Sequence, residues 1–158
     1  MKILLDTNVI TRLCHPNQDA NRQVTQWLEA LIRKSDHGLT LCLPEIADYE
    51  ARRGLLHVAL RSGQSTTKSL VRLDLLTQIL EYLPLNTQTL RRAAGLWAET
   101  RHVGRPTAPA TALDGDVILA AQALEVDGLV VTDNTRHLSR LVAARSWREI
   151  QPGGEQLS

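Results

Sequence analysis

The chain has 158 residues, of which 43% are hydrophobic, with 18 Lys+Arg against 17 Asp+Glu. This length suits one compact domain that folds without disulfides or a structural metal. The net charge of +1 argues against a protein that binds nucleic acid through a large general basic excess. No apolar run approaches the ~18 residues of a membrane span, and Asp6 interrupts the apolar core that a signal peptide needs. We therefore expect a cytoplasmic protein, with no membrane partner, in which Cys14 and Cys42 are buried and reduced.

The first half of the chain alternates short apolar runs with longer amphipathic segments. Apolar runs bounded by turn residues indicate buried strands, whereas apolar residues three and four apart indicate helices. In chain order these patterns predict a strand over 2–5 ending in a turn, a helix over 20–34, a strand over 39–43, a helix from Pro44 to Arg61, a helix over 68–80 and a helix over about 87–102.

The second half repeats this alternation and completes the domain. It predicts a loop over 104–111, a helix over 116–124, a turn at 127–128, a strand over 129–132, a helix over 137–145 and an edge strand over 147–150. Strands that alternate with helices favour an α/β domain with a mainly parallel central sheet. We therefore expect a single domain over residues 1–150, followed by a loose tail over 151–158.

Acidic side chains concentrate where such a fold binds its ligands. Open parallel sheets bind ligands beyond the carboxyl ends of the strands, at the point where the strand order reverses. Hard divalent cations need several carboxylate oxygens that converge from different elements. Four places in the sequence supply such acids: Asp6 and Asp133 directly after predicted strands, Asp114 with Asp116 near the start of one helix, and Glu45 with Glu50 in another.

Each of these acids also has a purely structural interpretation. Asp6 fits a helix cap or a turn, and the pair Asp114 and Asp116 fits a plain N-cap. Glu50 fits a solvated helix charge paired with Arg53, and Asp133 fits an ordinary strand-ending turn. The case for a site rests on all four places lying at one rim of the sheet.

Four motifs in a fixed order give a more specific signal. They are ILLDTNVI around Asp6, the spacing from Glu50 to Gly54 after an apolar strand, DVILAAQAL led by Asp116, and LVVTDN around Asp133. Over residues 1–150 the chain resembles the PIN-domain ribonucleases, in particular the VapC-like toxins of bacterial toxin–antitoxin pairs. This resemblance implies a three-layer α/β domain, with helices flanking a mainly parallel sheet and an acidic metal site at its carboxyl edge.

The resemblance also implies roles for individual residues. Asp6, Glu50 and Asp116 fall on the acidic triad of the family, and Asp133 or Asn134 falls on its more variable fourth position. Where family members often carry a further acid, this chain has Arg136, His137 and Leu138, so His137 is either an outer residue of the site or unrelated to it. Accessory candidates around these positions are Asp114, Glu45, Asn134, Thr132 and Asn8.

These residues predict a metal-dependent endoribonuclease. One or two Mg²⁺ or Mn²⁺ ions held by Asp6, Glu50 and Asp116 would activate water and neutralise the phosphate, with Asp133 orienting a further water. Arg12 and Arg53 are the predicted contacts to RNA phosphates. The resemblance further implies a homodimer and a small antitoxin that holds the enzyme inactive.

Two other functions remain open at this stage. A non-toxin metal phosphohydrolase would use Asp6 or the Asp114-Gly115-Asp116 pair, although a phosphatase of the aspartyl-nucleophile type has its two aspartates directly after a strand. A catalytically silent PIN-like binding module would keep the scaffold for partner contact alone. Turnover of a small phosphomonoester without RNA cleavage would favour the first of these.

Overall fold

The structure is a computed structural model that describes residues 1–34, 38–64, 67–103 and 110–152. In it the apolar runs form strands and the amphipathic stretches form helices. These residues form five strands and seven α-helices. In chain order they are β1 (Lys2–Leu5), α1 (Thr7–Leu13), α2 (Arg22–Lys34), β2 (Thr40–Pro44), α3 (Glu45–Arg61), α4 (Lys68–Ile79), β3 (Glu81–Leu83), α5 (Thr87–Val103), α6 (Ala110–Glu125), β4 (Leu129–Val131), α7 (Thr135–Leu138) and β5 (Ala144–Arg145). No helix in these ranges is long and apolar enough to cross a bilayer.

All five strands form one parallel sheet in the order β3-β2-β1-β4-β5. In the centre, Ile3 of β1 lies opposite Leu41 on one side and Leu129 on the other. The chain moves outward through β2 and β3 and then returns to the far side of β1 with β4. The strand order therefore reverses between β1 and β4, so the crevice that favours ligand binding opens beyond their carboxyl ends.

Helices cover both faces of the sheet, which confirms the predicted three-layer α/β architecture. Side chains alternate along a strand, so Ile3 and Leu5 of β1 face one helical layer while Leu4 faces the other. The first layer contains α1 to α4, and the second contains α6 and α7, with α5 packed against α6. The sheet is buried on both sides, which explains why its central strands are apolar runs without a polar face.

The two cysteines are free and buried, as expected. Burial raises the pKa of the Cys14 thiol to about 12 and that of the Cys42 thiol to about 11. Both side chains are therefore neutral thiols at physiological pH and pack as small apolar groups.

Residues 135–150 differ from the predicted helix and edge strand. The predicted helix over 137–145 is wrong, because α7 ends at Leu138 and Ala144 pairs with Val130 of β4 instead. The predicted strand over 147–150 is also wrong, because Trp147–Glu149 is a short 3₁₀ helix that Ser146 caps. The backbone of β4 needs a hydrogen-bonding neighbour, and Val130 and Thr132 donate to the carbonyls of residues 143 and 145.

Three other segments depart from the predictions. Thr7–Leu13 forms α1 directly after Asp6, where only a turn was predicted, and the edge strand β3 was not predicted at all. The predicted loop over 104–111 is wrong at its end, because α6 begins at Ala110, while residues 104–109 lie outside the described residues. Asp114 and Asp116 consequently lie inside α6, which rules out the N-cap interpretation.

The predicted tail is described only at its first residues. Trp27 donates its indole N–H to the carbonyl of Ile150 at 2.9 Å, and the Lys34 ammonium donates to the carbonyl of Pro152 at 3.1 Å. These contacts attach the chain as far as Pro152 to α2. Residues 153–158 lie outside the described residues, so the predicted domain boundary at residue 150 stays a prediction.

The apolar stripe of α4 generates a test of this packing. Leu73 is completely buried against the sheet, whereas Leu60, at the end of α3, is 73% exposed. We expect Leu73→Ala to lower the free energy of unfolding by about 2–5 kcal/mol, because it leaves a cavity in the core. Leu60→Ala is the control and should change it by less than about 0.5 kcal/mol. Urea denaturation measures both values, and similar effects of the two substitutions would contradict this packing.

Candidate active site

Asp6 lies at the junction of β1 and α1, beside the point where the strand order reverses. It is 9% exposed, and it caps α1 by accepting a hydrogen bond from the Thr7 amide at 2.6 Å. Its other carboxylate oxygen accepts from Thr132 Oγ1 at 2.6 Å and from Asn8 Nδ2 at 2.8 Å. Burial raises the pKa of Asp6 above its ordinary value, and these hydrogen bonds only partly offset the effect. Asp6 is therefore both a helix cap and a buried carboxylate at the crevice.

Thr132 and Asn8 connect the ends of β1 and β4 around this carboxylate. The Thr132 hydroxyl, while donating to Asp6, accepts from Asn8 Nδ2 at 3.0 Å and from the Asn134 amide at 2.9 Å. The Asn8 side-chain oxygen accepts from the Asp133 amide at 3.1 Å. A hydroxyl can donate once and accept twice, so Thr132 uses its full capacity here. These predicted accessory residues hold Asp6 in one orientation.

Glu50 reaches the same place from α3. Its Oε2 accepts from Thr7 Oγ1 at 2.7 Å, and its Oε1 lies 3.5 Å from Arg53 Nη2. The carboxylate also lies directly over Gly115 of α6. Thr7 thus links the first two acids, because its amide bonds to Asp6 and its hydroxyl bonds to Glu50. Thr7 was not among the predicted site residues, although its position next to Asp6 marks it in the sequence.

Asp116 brings the third carboxylate from α6. Burial first, and then the negative charges of Asp6 and Glu50, raise its pKa to about 6, against an opposing effect of His137. The charges of the three predicted triad members therefore interact with one another. Asp6, Glu50 and Asp116 are called the acidic cluster below. His137 lies near enough to act on Asp116 electrostatically.

Asp133 lies at the same edge of the sheet, but its carboxylate pairs with arginines. Its carboxylate pairs with Arg12 Nε at 3.0 Å and with Arg148 Nη1 at 3.3 Å, and it accepts from Trp147 Nε1 at 3.1 Å. Arg148 also stacks over the Trp147 ring, 4.3 Å from its centroid. Arg148 and Trp147 were not predicted, because they follow Asp133 at a distance in sequence and nothing local marks them.

Two accessory acids lie apart from the triad. Glu45 begins α3 and accepts from the backbone amide of Leu85 at 2.5 Å, which attaches α3 to the segment after β3. Asp114 is exposed and, with Trp97, lines a cavity of about 390 Å³ between α5 and α6. Two residues along a helix differ by about 200° in direction, so Asp114 and Asp116 point to different sides of α6. A paired-aspartate nucleophile at these positions therefore has no support from the geometry.

A comparison with protein-family models finds the PIN domain over residues 3–143. The chain belongs to the PIN-domain family. PIN domains are generally nucleases, so the acidic cluster lies in a domain of that class. No curated protein sequence matches the chain.

Solved structures of PIN-like toxin–antitoxin proteins share the fold. The chain is similar to FitAcB from Neisseria gonorrhoeae, with 24% identity, a TM-score of 0.66, and coverage of 94% of this chain and 99% of that one. It is also similar to VapBC2 from Rickettsia felis bound to a promoter DNA fragment, with 19% identity, a TM-score of 0.66, and coverage of 93% and 99%. A toxin–antitoxin complex from Klebsiella pneumoniae matches with 18% identity, a TM-score of 0.59, and coverage of 94% and 99%.

The donor set of this PIN domain fits a hard divalent cation. Asp6, Glu50 and Asp116 offer only carboxylate oxygens, which Mg²⁺ and Mn²⁺ prefer. A cation would also offset the negative charges of Asp6 and Glu50, which act with burial to raise the pKa of Asp116. Over the described residues, no three acidic, histidine or cysteine side chains already stand in positions to share one ion. The oxygens of Asp6 and Glu50 are instead held by the hydroxyls of Thr132 and Thr7.

The raised pKa of Asp116 generates a prediction about metal-free stability. Its folded-state pKa of about 6 lies above its ordinary value of 3.8, so the folded protein binds this proton more tightly than the unfolded chain does. The resulting stabilisation is complete below about pH 3.8 and is lost as the pH rises through 6. Asp116→Asn should therefore melt at a higher temperature than wild type at pH 7.5 in EDTA, and this difference should shrink towards pH 4.

The control for this experiment is Asp114→Asn, which alters an exposed acid on the same helix. Its melting temperature should stay close to that of wild type at both pH values. A stabilisation by Asp116→Asn that is the same at pH 4 and pH 7.5 would contradict the electrostatic explanation.

Proposed function

We propose that this PIN-domain protein is a metal-dependent endoribonuclease that hydrolyses RNA phosphodiester bonds with Mg²⁺ or Mn²⁺. The proposal is supported by the link that Thr7 makes between Asp6, directly after β1, and Glu50 of α3, and by Asp116 of α6, whose pKa their charges help to raise. Membership of a family that generally consists of nucleases supports phosphodiester bonds as the target.

In this proposal Asp6, Glu50 and Asp116 hold one or two metal ions. The bound metal would supply a water of lowered pKa and offset the charge of the phosphate. Thr132 and Asn8 keep Asp6 in its orientation, while Thr7 keeps Glu50 beside it. Water is then the nucleophile and the 2′-hydroxyl is not needed, so the products end in 5′-phosphate and 3′-hydroxyl.

Arginines around the acidic cluster are the proposed contacts to RNA phosphates. The side chains of Arg53 and Arg148 are 59% and 56% exposed, and that of Arg12 is 31% exposed. Each pairs with an acid of the rim, Glu50 for Arg53 and Asp133 for the other two, and keeps donors accessible to solvent. We assign to Asp133 the role of holding Arg12 and Arg148 beside the crevice, where phosphates that flank the scissile bond would lie.

The proposed biological role is the toxin of a toxin–antitoxin pair. A chain of the Klebsiella pneumoniae toxin–antitoxin complex has a fold similar to that of this protein, which supports a small antitoxin as its partner. A stripe of exposed apolar residues on α4, formed by Val71, Leu75 and Ile79, is a surface of the kind that such a partner or a second protomer covers. We propose a homodimer that acts in the cytoplasm, where its RNA substrate is found.

The central test is cleavage of RNA by the purified protein. We expect total RNA and tRNA to be cut in the presence of Mg²⁺ or Mn²⁺ and to stay intact in EDTA. Asp116→Asn should lower the rate by at least about 100-fold, because loss of a residue that merely supports a metal ligand already costs 10–100-fold. Asp114→Asn is the matched control and should cleave at a rate near that of wild type. Unchanged cleavage by Asp116→Asn would overturn the assignment.

A second test addresses the arginines. Binding of a non-cleaved RNA to the Asp116→Asn protein should weaken as salt rises, with a slope that reflects the number of phosphates contacted. Arg12→Ala and Arg53→Ala should each reduce that slope by about one. The control is Arg33→Ala. Arg33 lies in the last turn of α2, which precedes the amino end of β2, whereas the acids lie beyond the carboxyl ends of the strands. Equal slopes for all three variants would reject the proposed phosphate contacts.

A further inference from the structure

Gly115 lies well inside α6, between two aspartates, at a position where helices disfavour glycine. A Cβ atom built at this position would lie 2.5 Å from Glu50 Oε1, 3.1 Å from Cδ and 3.2 Å from Oε2. A side-chain carbon and an oxygen that are not bonded to each other do not approach to 2.5 Å. The carboxylate of Glu50 therefore occupies the space that any other residue at position 115 would fill.

The other helical glycines of the described residues do not share this property. A Cβ atom at Gly54 of α3 or at Gly95 of α5 would meet no heavy atom within 4 Å. Alanine is accommodated at both positions without contact, so among these three helical glycines only Gly115 makes room for another group. That group is a carboxylate of the acidic cluster.

Thr7 and Gly115 act on the same carboxylate from two sides. The Thr7 hydroxyl donates to Glu50 Oε2 at 2.7 Å, and the bare backbone of Gly115 leaves room for Oε1. Asp116 follows Gly115 directly in α6, so a carboxylate lying against Gly115 is beside the stretch of helix from which Asp116 projects. If position 115 carried a methyl group, the flexible end of Glu50 would have to move away from α6.

We propose that Gly115 is a positioning residue. Its missing side chain leaves a space, called the seat below, that holds the Glu50 carboxylate in the acidic cluster with Asp6 and Asp116. This role rests on the proposed function for its catalytic consequence, but the seat itself is a property of the folded chain. Gly115→Ala keeps the fold, because alanine favours the helix and only the end of one flexible side chain must move. It removes Glu50 from the cluster.

The test is a double-mutant cycle with Glu50→Asp. Aspartate is one methylene shorter, so its carboxylate withdraws from position 115 before any methyl group is added there. We expect Gly115→Ala alone to weaken Mn²⁺ binding at least about tenfold, in the range found for residues that orient metal ligands. In the Glu50→Asp background the same change should weaken it less than about twofold, since the two positions interact. Titration calorimetry of the full chain measures all four affinities.

Gly95→Ala is the matched control, because it makes the same chemical change inside a helix where the added methyl group meets nothing. It should leave Mn²⁺ affinity and RNA cleavage unchanged. Thermal melting in EDTA should show that Gly115→Ala is at least as stable as wild type, which separates loss of the seat from loss of the fold. An equal loss of Mn²⁺ affinity in both backgrounds would show a general effect on α6 and overturn the proposal.

A crystal structure of metal-free Gly115→Ala tests the seat without reference to metal or activity. We expect the Glu50 carboxylate to leave Thr7 Oγ1 and turn towards solvent. A Glu50 that still bonds to Thr7 in this variant would overturn the seat. If wild type cleaves no RNA while the crystal structure and the binding cycle behave as expected, the proposed function fails and the role of Gly115 in positioning Glu50 stands.

Discussion

The buried carboxylate of Asp6 is the constraint around which the carboxyl edge of the sheet is organised. A charged group that loses water must gain hydrogen bonds, and Asp6 obtains them from Thr7, Asn8 and Thr132. Two of these donors belong to α1 and the third follows β4, so satisfying one carboxylate joins the two strands between which the strand order reverses. The same requirement starts α1, because the Asp6 side chain caps its first turn.

From this centre the charges are sorted by position around the rim. Burial and the negative charges of Asp6 and Glu50 together raise the pKa of Asp116. Asp133, which was predicted beside them because it follows a strand, instead pairs with Arg12 and Arg148. Although the whole chain is nearly neutral, the three acids thus lie beside a group of arginines. This separation suits the proposed polyanionic substrate, whose phosphates the arginines would hold beside these acids.

Much of this organisation could be predicted from local patterns. Central strands buried on both faces must be apolar, and helices on a sheet must be amphipathic, so β1, β2, β4 and most helices follow from the distribution of Leu, Val and Ile. A concentration of acids at the carboxyl edge could also be predicted, because parallel strands end there, whereas the choice of Asp6, Glu50 and Asp116 among them rests on the resemblance to the PIN-domain ribonucleases. The segment from α7 to β5 could not, because Leu138, Leu141 and Val142 suit a helix and only the unpaired edge of β4 turns the chain into a strand.

Residue patterns alone indicate the fold class, the order of most elements and the edge of the sheet at which the acids lie, because burial and chain direction follow from the spacing of apolar residues. Which groups surround each acid depends on how the helices and strands pack. That Thr7 joins Asp6 to Glu50, that Asp133 turns to Arg12 and Arg148, and that Gly115 leaves space for Glu50 all depend on side chains far apart in the sequence. Their distances exist only after the helices pack, because contacts between elements are set by three-dimensional approach, which no local pattern of residues encodes.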